Sequence, residues 1–189
     1  MNSSFIIFAA AAMIVVVFVF SVILFSRYAK VGPNQALIVS GRQVQLPDGT
    51  RVGFRIVKGG GTFVLPVIEK VDLISLEVFT IEMPKTKART SEGKPVEADC
   101  VAQVKIKGDD SSIVAAAGHF LSKSDANVKS IVRPVLEKHV RTTLGNLSVE
   151  EIRRDLDACA TSVQAAASLD LGAMGLGMVS FTVQDVHAA

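Results

Sequence analysis

Two glycine-rich stretches are the first candidates for chemistry in this chain, because glycine-rich loops can hold phosphate groups. The first, residues 59–61, follows Lys58 and precedes an apolar run, whereas a phosphate-binding loop places its Lys after the glycines, at the start of a helix. The second, GAMGLG at residues 172–177, has the dinucleotide-binding spacing reversed and also leads into an apolar run. Both stretches are typical of chain reversals that need the conformational freedom of glycine. Nucleotide binding is therefore not predicted.

The histidines and cysteines lack the spacing of a metal site or a catalytic site. His119, His139 and His187 have no histidine and glutamate partners at the spacing that zinc proteases use. Cys100 and Cys159 lie far apart, which favours two buried or half-buried thiols in a reducing compartment. No Gly-x-Ser-x-Gly turn occurs that would expose a nucleophilic serine. The sequence thus predicts no enzyme activity, no metal and no cofactor.

The basic residues do not predict a nucleic-acid-binding surface. The formal net charge is only +2, and the chain has no Trp and a single Tyr with which to stack on bases. Four basic residues nevertheless lie close together, at Lys85, Lys87, Arg89 and Lys94. They form either a solvated hairpin tip or a contact with anionic lipid headgroups, to which each charge near the surface contributes about 1 kcal/mol.

The longest apolar run, residues 5–25, predicts a helix that crosses a membrane. It reads FIIFAAAAMIVVVFVFSVILF and contains no charged residue. At about 1.5 Å per residue, roughly twenty helical residues span a hydrocarbon core of about 30 Å, and a single run can satisfy its own backbone in lipid only as a helix. The leader MNSS has no basic residue and the run is too long for a cleaved signal peptide. A re-entrant hairpin, the other alternative, would need a Gly or Pro in the middle of the run.

The predicted membrane contacts fall into two groups. The membrane anchor comprises the large apolar residues of the run: Phe5, Ile6, Ile7, Phe8, Met13, Ile14, Val15, Val16, Val17, Phe18, Val19, Phe20, Val22, Ile23, Leu24 and Phe25. Candidate contacts with the membrane interface follow the run or belong to VLPVI at residues 64–68, which is either core or membrane contact: Arg27, Tyr28, Lys30, Val64, Leu65, Val67 and Ile68. Because basic residues follow the run and none precedes it, the rest of the chain is predicted to lie on the cytoplasmic side.

Strands are predicted from about residue 36 to residue 107. The first is 36–40, and strands near 42–46 and 53–57 form a hairpin joined by the turn PDGT at residues 47–50. Residues 71–83 alternate and predict one long strand, covered on two sides or bulged in its middle. A turn at residues 92–95 and a strand over 96–107 complete a long antiparallel hairpin.

After residue 108 the pattern changes to helices. Asp109 or Asp110 caps a helix to about residue 120, and a second helix over about 125–144 carries an apolar stripe. Pro134 inside it predicts a kink or a break near residues 131–133. Ser148 and Glu151 form a capping box that opens a further helix, either continuous or with a break, to about residue 171. Residues 178–186 predict a final strand. The fold class is therefore α+β rather than a doubly wound sheet.

Several stretches resemble bacterial flotillins. YAKVGPNQALIVSGR at residues 28–42, directly after the apolar run, and RIVKGGGTFVLPVIEKV at residues 55–71 are similar to the opening of that family's domain. Shorter similar stretches follow in the same order: VAQVKI (101–106), LGNLSVEEI (144–152) and MGLGMVSFTVQDV (174–186). On these motifs the chain is identified as a member of the stomatin/prohibitin/flotillin/HflK-C (SPFH, or band 7) superfamily, in its flotillin branch.

The resemblance implies an architecture: a membrane anchor (residues 1–30), a mainly β first half of the band 7 domain (31–107), and a helical second half with a terminal strand (108–189). It implies a non-enzymatic scaffold of the inner membrane that assembles into large homo-oligomers and organises lipid microdomains and membrane protein clients. A regulatory subunit that controls the access of substrates to a membrane protease is the alternative. Flotillins normally continue into a long coiled coil, whereas this chain stops at Ala189, so we expect either a fragment of a longer protein or a natural short form.

Overall fold

The structure of the chain is a computed structural model, which describes residues 3–25, 28–45, 51–64 and 68–188. The elements are α1 (Ser3–Phe25), β1 (Tyr28–Gln45), β2 (Arg51–Phe63), β3 (Lys70–Ser75), β4 (Phe79–Arg89), β5 (Pro95–Ile106), α2 (Asp110–Phe120), α3 (Asp125–Gly145), α4 (Val149–Arg154), α5 (Leu156–Ala173) and β6 (Leu176–Ala188). This is the predicted α+β composition. Contacts divide the chain into two compact units, Met1–Leu73 and Ile74–Ala189. The boundaries predicted at residues 30 and 107, between the anchor and the two halves of the domain, are not tested by this division and stay a prediction.

The apolar run at the N-terminus is helical, as predicted. Its single hydroxyl, on Ser21, donates to the Val17 carbonyl at 2.8 Å, so the polar atom is satisfied within the helix. Among the described residues, no helix is both long enough and apolar enough to cross a membrane. The membrane crossing predicted for this helix is therefore not supported by the structure.

The first unit contains a three-stranded sheet in the order β2-β1-β3. Strands β1 and β2 form the predicted antiparallel hairpin, closed by the pair Gln45–Arg51. Its turn at residues 46–50 lies outside the described residues. A small apolar core is formed by Val31, Leu37 and Val39, against which Ala29 and Val57 pack.

The reversal predicted at residues 59–61 is wrong, because β2 continues through these glycines to Phe63. The register moves from Val31–Gly60 to Ala36–Lys58, so residues 32–35 of β1 leave the ladder opposite Gly59. Both Gly59 and Gly60 have positive φ angles, 64° and 78°. The glycines therefore permit a bulge within a pair of strands instead of a turn between two elements.

The single strand predicted over residues 71–83 is also wrong. Strand β3 ends at Ser75 and β4 begins at Phe79, and the two strands belong to different sheets. At the break, the Glu77 N–H donates to the Ser75 hydroxyl at 3.3 Å, a local bond that replaces a bond to a neighbouring strand. The apolar residues of this stretch do not follow one alternating pattern because its two ends form strands of two different sheets.

The second unit contains an antiparallel sheet in the order β4-β5-β6. Helix α3 packs on β4, and α5 packs on both β6 and α3. Alternate residues of the central strand are buried: Val96, Ala98, Cys100, Ala102, Val104 and Ile106. The helices contribute stripes at helical spacing: Val132, Leu136, Val140 and Leu144 from α3, and Cys159, Val163, Ala167 and Leu171 from α5. The predicted second hairpin, with its turn near residues 92–95, is confirmed, but its first strand is β4 instead of residues 71–83.

The predicted helix starts are confirmed. Asp109 caps α2 by accepting from the Ser112 N–H at 2.9 Å. Ser148 and Glu151 form the capping box of α4, with the Ser148 N–H donating to Glu151 at 2.8 Å and the Glu151 N–H donating to Ser148 at 3.3 Å. Of the two alternatives predicted at Pro134, the break is wrong, since α3 runs unbroken through it, and the kink stays a prediction.

Candidate membrane-facing surface

Helix α1 exposes apolar side chains on all sides. Every large apolar residue of the anchor whose side chain is described is at least half exposed: Met13, Ile14, Val15, Val16, Val17, Phe18, Val19, Phe20 and Val22, from 50% at Val19 to 70% at Met13. The remaining predicted anchor residues lie in α1, but their side chains are outside the described part: Phe5, Ile6, Ile7, Phe8, Ile23, Leu24 and Phe25. A helix that is apolar all round needs an apolar surrounding, since it has no polar face to turn to water.

An aromatic pair lies at the start of β1, three positions after α1 ends. Tyr28 is opposite Phe63 in the β1–β2 ladder, and the two rings meet edge to face with centroids 5.3 Å apart. The pair remains open to solvent, with Tyr28 44% and Phe63 58% exposed. The Tyr28 ring lies over Gly61, where a side chain would collide with it. Lys30 is exposed two positions further along β1, and therefore on the same face as Tyr28.

The predicted VLPVI segment divides between core and surface where it is described. Val64 is buried, so its side chain belongs to the interior of the first unit, whereas Ile68 is 66% exposed. Leu65 and Val67, like Arg27 before β1, lie outside the described residues. Lipid contact by any of these residues stays a prediction.

The guanidinium of Arg55 contacts the residues on either side of this segment, Phe63 and Glu69. Arg55 Nη2 on β2 donates to the Phe63 carbonyl at 2.8 Å and to Glu69 Oε2 at 3.3 Å. The Glu69 side chain is only 5% exposed, and a buried carboxylate is costly unless a charge and hydrogen bonds compensate it. Sequence reasoning missed Phe63, Arg55 and Glu69. The one available signal was a charged residue within the apolar strand that precedes the glycines.

Two of the four residues of the basic cluster are paired with carboxylates. Lys94 Nζ lies 2.8 Å from Glu92, and Lys87 Nζ lies 3.5 Å from Glu97. The hydrogen bond to Glu92 raises the pKa of Lys94. Both pairs lie on the β4–β5 hairpin, so their charges are offset locally. This favours the solvated hairpin tip over a site for anionic headgroups.

The thiols and histidines form structural contacts. Burial raises the pKa of the Cys100 thiol to about 12, and burial also raises that of Cys159. His139 Nε2 lies 2.9 Å from Asp170 Oδ2, a contact that joins α3 to α5 and lowers the pKa of Asp170. Within the described part of the chain, no group of histidine, cysteine and acidic side chains could hold a metal ion.

A cavity of about 250 Å³ in the second unit was not predicted. It lies where both outer strands bulge opposite Asp99 and Cys100 of β5. At the β4 bulge Lys85 adopts a φ of 52°, and its N–H donates to Asp99 at 2.6 Å. The open wall includes Glu82 and Gln184. The arrangement contains carboxylates but neither a nucleophile with a base nor a set of metal ligands.

Comparison with known proteins shows the family of the chain. The model of the SPFH domain / Band 7 family matches residues 29–189. Flotillin-like protein FloT of Bacillus subtilis (strain 168) is 40% identical over 167 residues, which cover 86% of this chain and 33% of that protein. Flotillin-1 of Homo sapiens is 38% identical and Flotillin-1 of Drosophila melanogaster 37% identical, each over 157 residues that cover 82% of this chain and 35% of the relative.

The chain spans about a third of the length of these curated relatives. The family match nevertheless extends from β1 to the end of the chain and includes both compact units apart from α1. The resemblance drawn from the sequence motifs is thereby confirmed: the chain belongs to the SPFH domain / Band 7 family and is flotillin-like within it.

Proposed function

We propose that this chain is a membrane-anchored scaffold that associates with copies of itself and organises lipids and membrane protein clients without catalysing a reaction. The observation that carries the proposal is α1, which joins an SPFH domain directly and exposes apolar side chains on every side that is described. At about 25 cal/mol per Å² of apolar surface, leaving such a helix in water is strongly unfavourable. A lipid bilayer removes that cost.

The proposed arrangement places α1 in the inner membrane and the rest of the chain on the cytoplasmic side. Arg27 and Lys30 follow α1, and no basic residue precedes it, a bias that favours this orientation. Tyr28 and Lys30 share one face of β1 at the point where the chain would leave the bilayer. Tyrosine and lysine are suited to this position, since each combines an apolar body with a polar tip.

The absence of tryptophan from the chain provides a direct test. A Phe18→Trp variant places one fluorophore on α1, and a Leu169→Trp variant places one on α5, where Leu169 is 82% exposed. Both variants are reconstituted into vesicles that contain lipids brominated deep in the acyl chains. We expect strong quenching of the Phe18→Trp variant and none of the Leu169→Trp variant. Equal, weak quenching of both variants would show that α1 is not inserted and would overturn the proposal.

A further inference from the structure

The cavity of about 250 Å³ in the second unit lies on the face of the sheet that is turned away from α3 and α5. Met83 and Cys100 are buried in the core that the sheet forms with these helices. Their neighbours Glu82, Asp99 and Val101 therefore point to the opposite face, because side chains alternate along a strand. The helices of the second unit do not cover this face, so the cavity is open to a molecule from outside the unit.

Irregularities in both outer strands form the cavity. In β4, Pro84 and Lys85 leave the ladder opposite Asp99, and in β6 Gln184 leaves it beside the same residue. Lys85 has a φ of 52°, and its N–H donates to Asp99 Oδ1 at 2.6 Å. The bulge thus fixes the Asp99 carboxylate at the wall of the cavity and leaves its Oδ2 for a ligand. Bulges that re-aim a side chain in this way are typical of binding and active sites.

Three carboxylates lie at or beside the cavity: Glu82, Asp99 and Asp185. Asp99 is directly opposite Asp185 in the β5–β6 ladder, and two like charges in this position destabilise a sheet. Asp185 has a partner in His187, whose Nε2 lies 3.3 Å from its Oδ2. Among the described residues, no ion pair includes Glu82 or Asp99. A cation bound in the cavity would offset this repulsion.

The walls of the cavity match a long basic side chain. Glu82, Asp99 and the Gln184 amide provide oxygen atoms that accept hydrogen bonds. Pro84 and Val101 add apolar surface, which suits the aliphatic stem of an arginine or a lysine. A guanidinium fits best, because its planar array of donors can reach several carboxylates at once. A metal ion fits less well, since the described residues contain no group of acidic, histidine and cysteine side chains that could hold one.

We propose that this cavity binds an arginine side chain from the basic cytoplasmic flank of a membrane protein client, with Glu82 and Asp99 accepting from its guanidinium. Membrane proteins carry an excess of arginine and lysine beside the cytoplasmic ends of their transmembrane helices. A scaffold whose domain lies on the cytoplasmic side meets such segments next to the bilayer. This choice of partner rests on the proposed function.

Binding is tested with the full chain in nanodiscs of phosphatidylcholine, whose headgroups carry no net charge. Two short peptides of glycine and serine, labelled with an uncharged dye, serve as probes. One peptide carries two arginines, and the other carries two citrullines, which keep the shape of arginine without its charge. By fluorescence anisotropy, we expect the citrulline peptide to bind at least about tenfold more weakly, because hydrogen bonds to charged groups are the stronger ones. Equal binding of the two peptides overturns the inference.

Three variants locate the bound peptide. Glu82→Gln and Asp99→Asn each remove one charge from the cavity, and the new amide oxygen in Asp99→Asn can still accept from the Lys85 N–H. The matched control is Asp157→Asn, which removes an exposed carboxylate from the first turn of α5. We expect the first two variants to weaken binding of the arginine peptide by about tenfold and the control to leave it unchanged. If all three variants have the same Kd, the peptide binds elsewhere and the inference is wrong.

A small cation is the rival occupant of the cavity. Arginine amide and calcium chloride are therefore added as competitors of the labelled arginine peptide. We expect displacement only at concentrations well above the Kd of the peptide. Displacement by either compound near that Kd would identify a site for a free cation and would overturn the assignment to a protein segment.

The Phe18→Trp variant separates this inference from the proposed function. If that variant is quenched by brominated lipids while the arginine peptide does not bind, α1 is anchored and only the arginine site is refuted. If the Phe18→Trp variant is not quenched, the proposed anchoring is refuted, and with it the choice of a membrane protein as the partner.

Discussion

Gly175 is a residue at which the packing of the second unit tolerates little change. It joins α5 to β6 with a φ of 76°, and a Cβ there would collide with the Ser112 carbonyl oxygen and approach the Ala116 nitrogen to 2.7 Å. Both atoms belong to the backbone of α2 and cannot move without moving the helix. We expect Gly175→Ala to lower the free energy of unfolding by about 2–4 kcal/mol, since αL strain of about 1–2 kcal/mol is added to the clash. Urea unfolding of the full chain in mild detergent, followed by circular dichroism, measures this.

Gly118 provides the matched control for Gly175. It lies inside α2, and a Cβ at this position would meet nothing within 4 Å. Gly118→Ala should therefore stabilise the chain, by up to about 1 kcal/mol, because glycine is a poor helix former. If the two alanine variants shift the urea midpoint equally, Gly175 does not lie as close to α2 as the structure shows.

Cys100 is predicted to be unreactive in the folded chain. Its pKa is raised to about 12, so at pH 8 roughly one thiol in ten thousand is the reactive thiolate. We expect negligible labelling by a maleimide until urea unfolds the second unit, after which Cys100 and Cys159 both react. Labelling of Cys100 at the rate of a free thiol under native conditions would contradict its burial.

The raised pKa of Cys100 also fixes a pH dependence of stability. Between pH 9 and about pH 12 the unfolded chain loses the thiol proton while the folded chain keeps it. The folded state then binds more protons, so the free energy of unfolding falls as the pH rises through this window. Below pH 9 the contribution is constant. A Cys100→Ala variant should show a smaller loss of stability between pH 9 and pH 11 in the same urea titration.

Among the elements, α3 shows how packing overrides a local rule. Pro134 lacks an N–H, and a helix interior normally loses about 3 kcal/mol at proline. The helix nevertheless continues, because Val132, Leu136 and Val140 lie on one buried stripe against β4 and α5. The sequence contained both the stripe and the proline. Whether the helix continues through the proline depends on the free energy gained by burying the stripe, and the spacing of apolar residues in the sequence does not give that free energy.

Replacing that proline should stabilise the chain. In Pro134→Ala the new N–H can donate to the Ser130 carbonyl, and we expect the free energy of unfolding to rise by about 1–3 kcal/mol. Pro95→Ala is the control: Pro95 is the first residue of β5, a position where proline fits a strand, so this change should cost up to about 1 kcal/mol through the unfolded state. A loss of stability in Pro134→Ala, measured by urea unfolding, would show that the proline relieves a strain in α3.

The elements that the sequence predicted correctly are those determined by local chemistry. The caps at Asp109 and Ser148 and the turn around Gly93 depend on residues within a few positions of one another. The break between β3 and β4 was missed because it depends on which sheet each strand joins. The contact between Arg55 and Glu69 was missed for the same reason, since it joins residues fourteen positions apart.

At the scale of the whole molecule, the family could be recognised from motifs, whereas the division into units could not. The motifs lie in order from β1 to β6, and the match to residues 29–189 confirms them. Near residue 107 the apolar pattern changes from that of a strand to that of a helix, and β5 ends there. However, β5 pairs with β6, the last strand in the sequence of the second unit. A long-range strand pair of this kind leaves no periodic signal in the sequence, so the compact boundary at residue 73 was not predicted.

Self-association is the property that the scaffold proposal requires of the whole chain. We expect the full chain, extracted in several mild detergents, to sediment as an assembly of many copies, because the proposed organising of lipids and clients requires many domains side by side. Sedimentation velocity and mass photometry measure this, with the Phe18→Trp variant reporting membrane insertion in the same preparation. A monodisperse monomer that is still quenched by brominated lipids would leave an anchored domain that does not assemble at this length, and would contradict the scaffold.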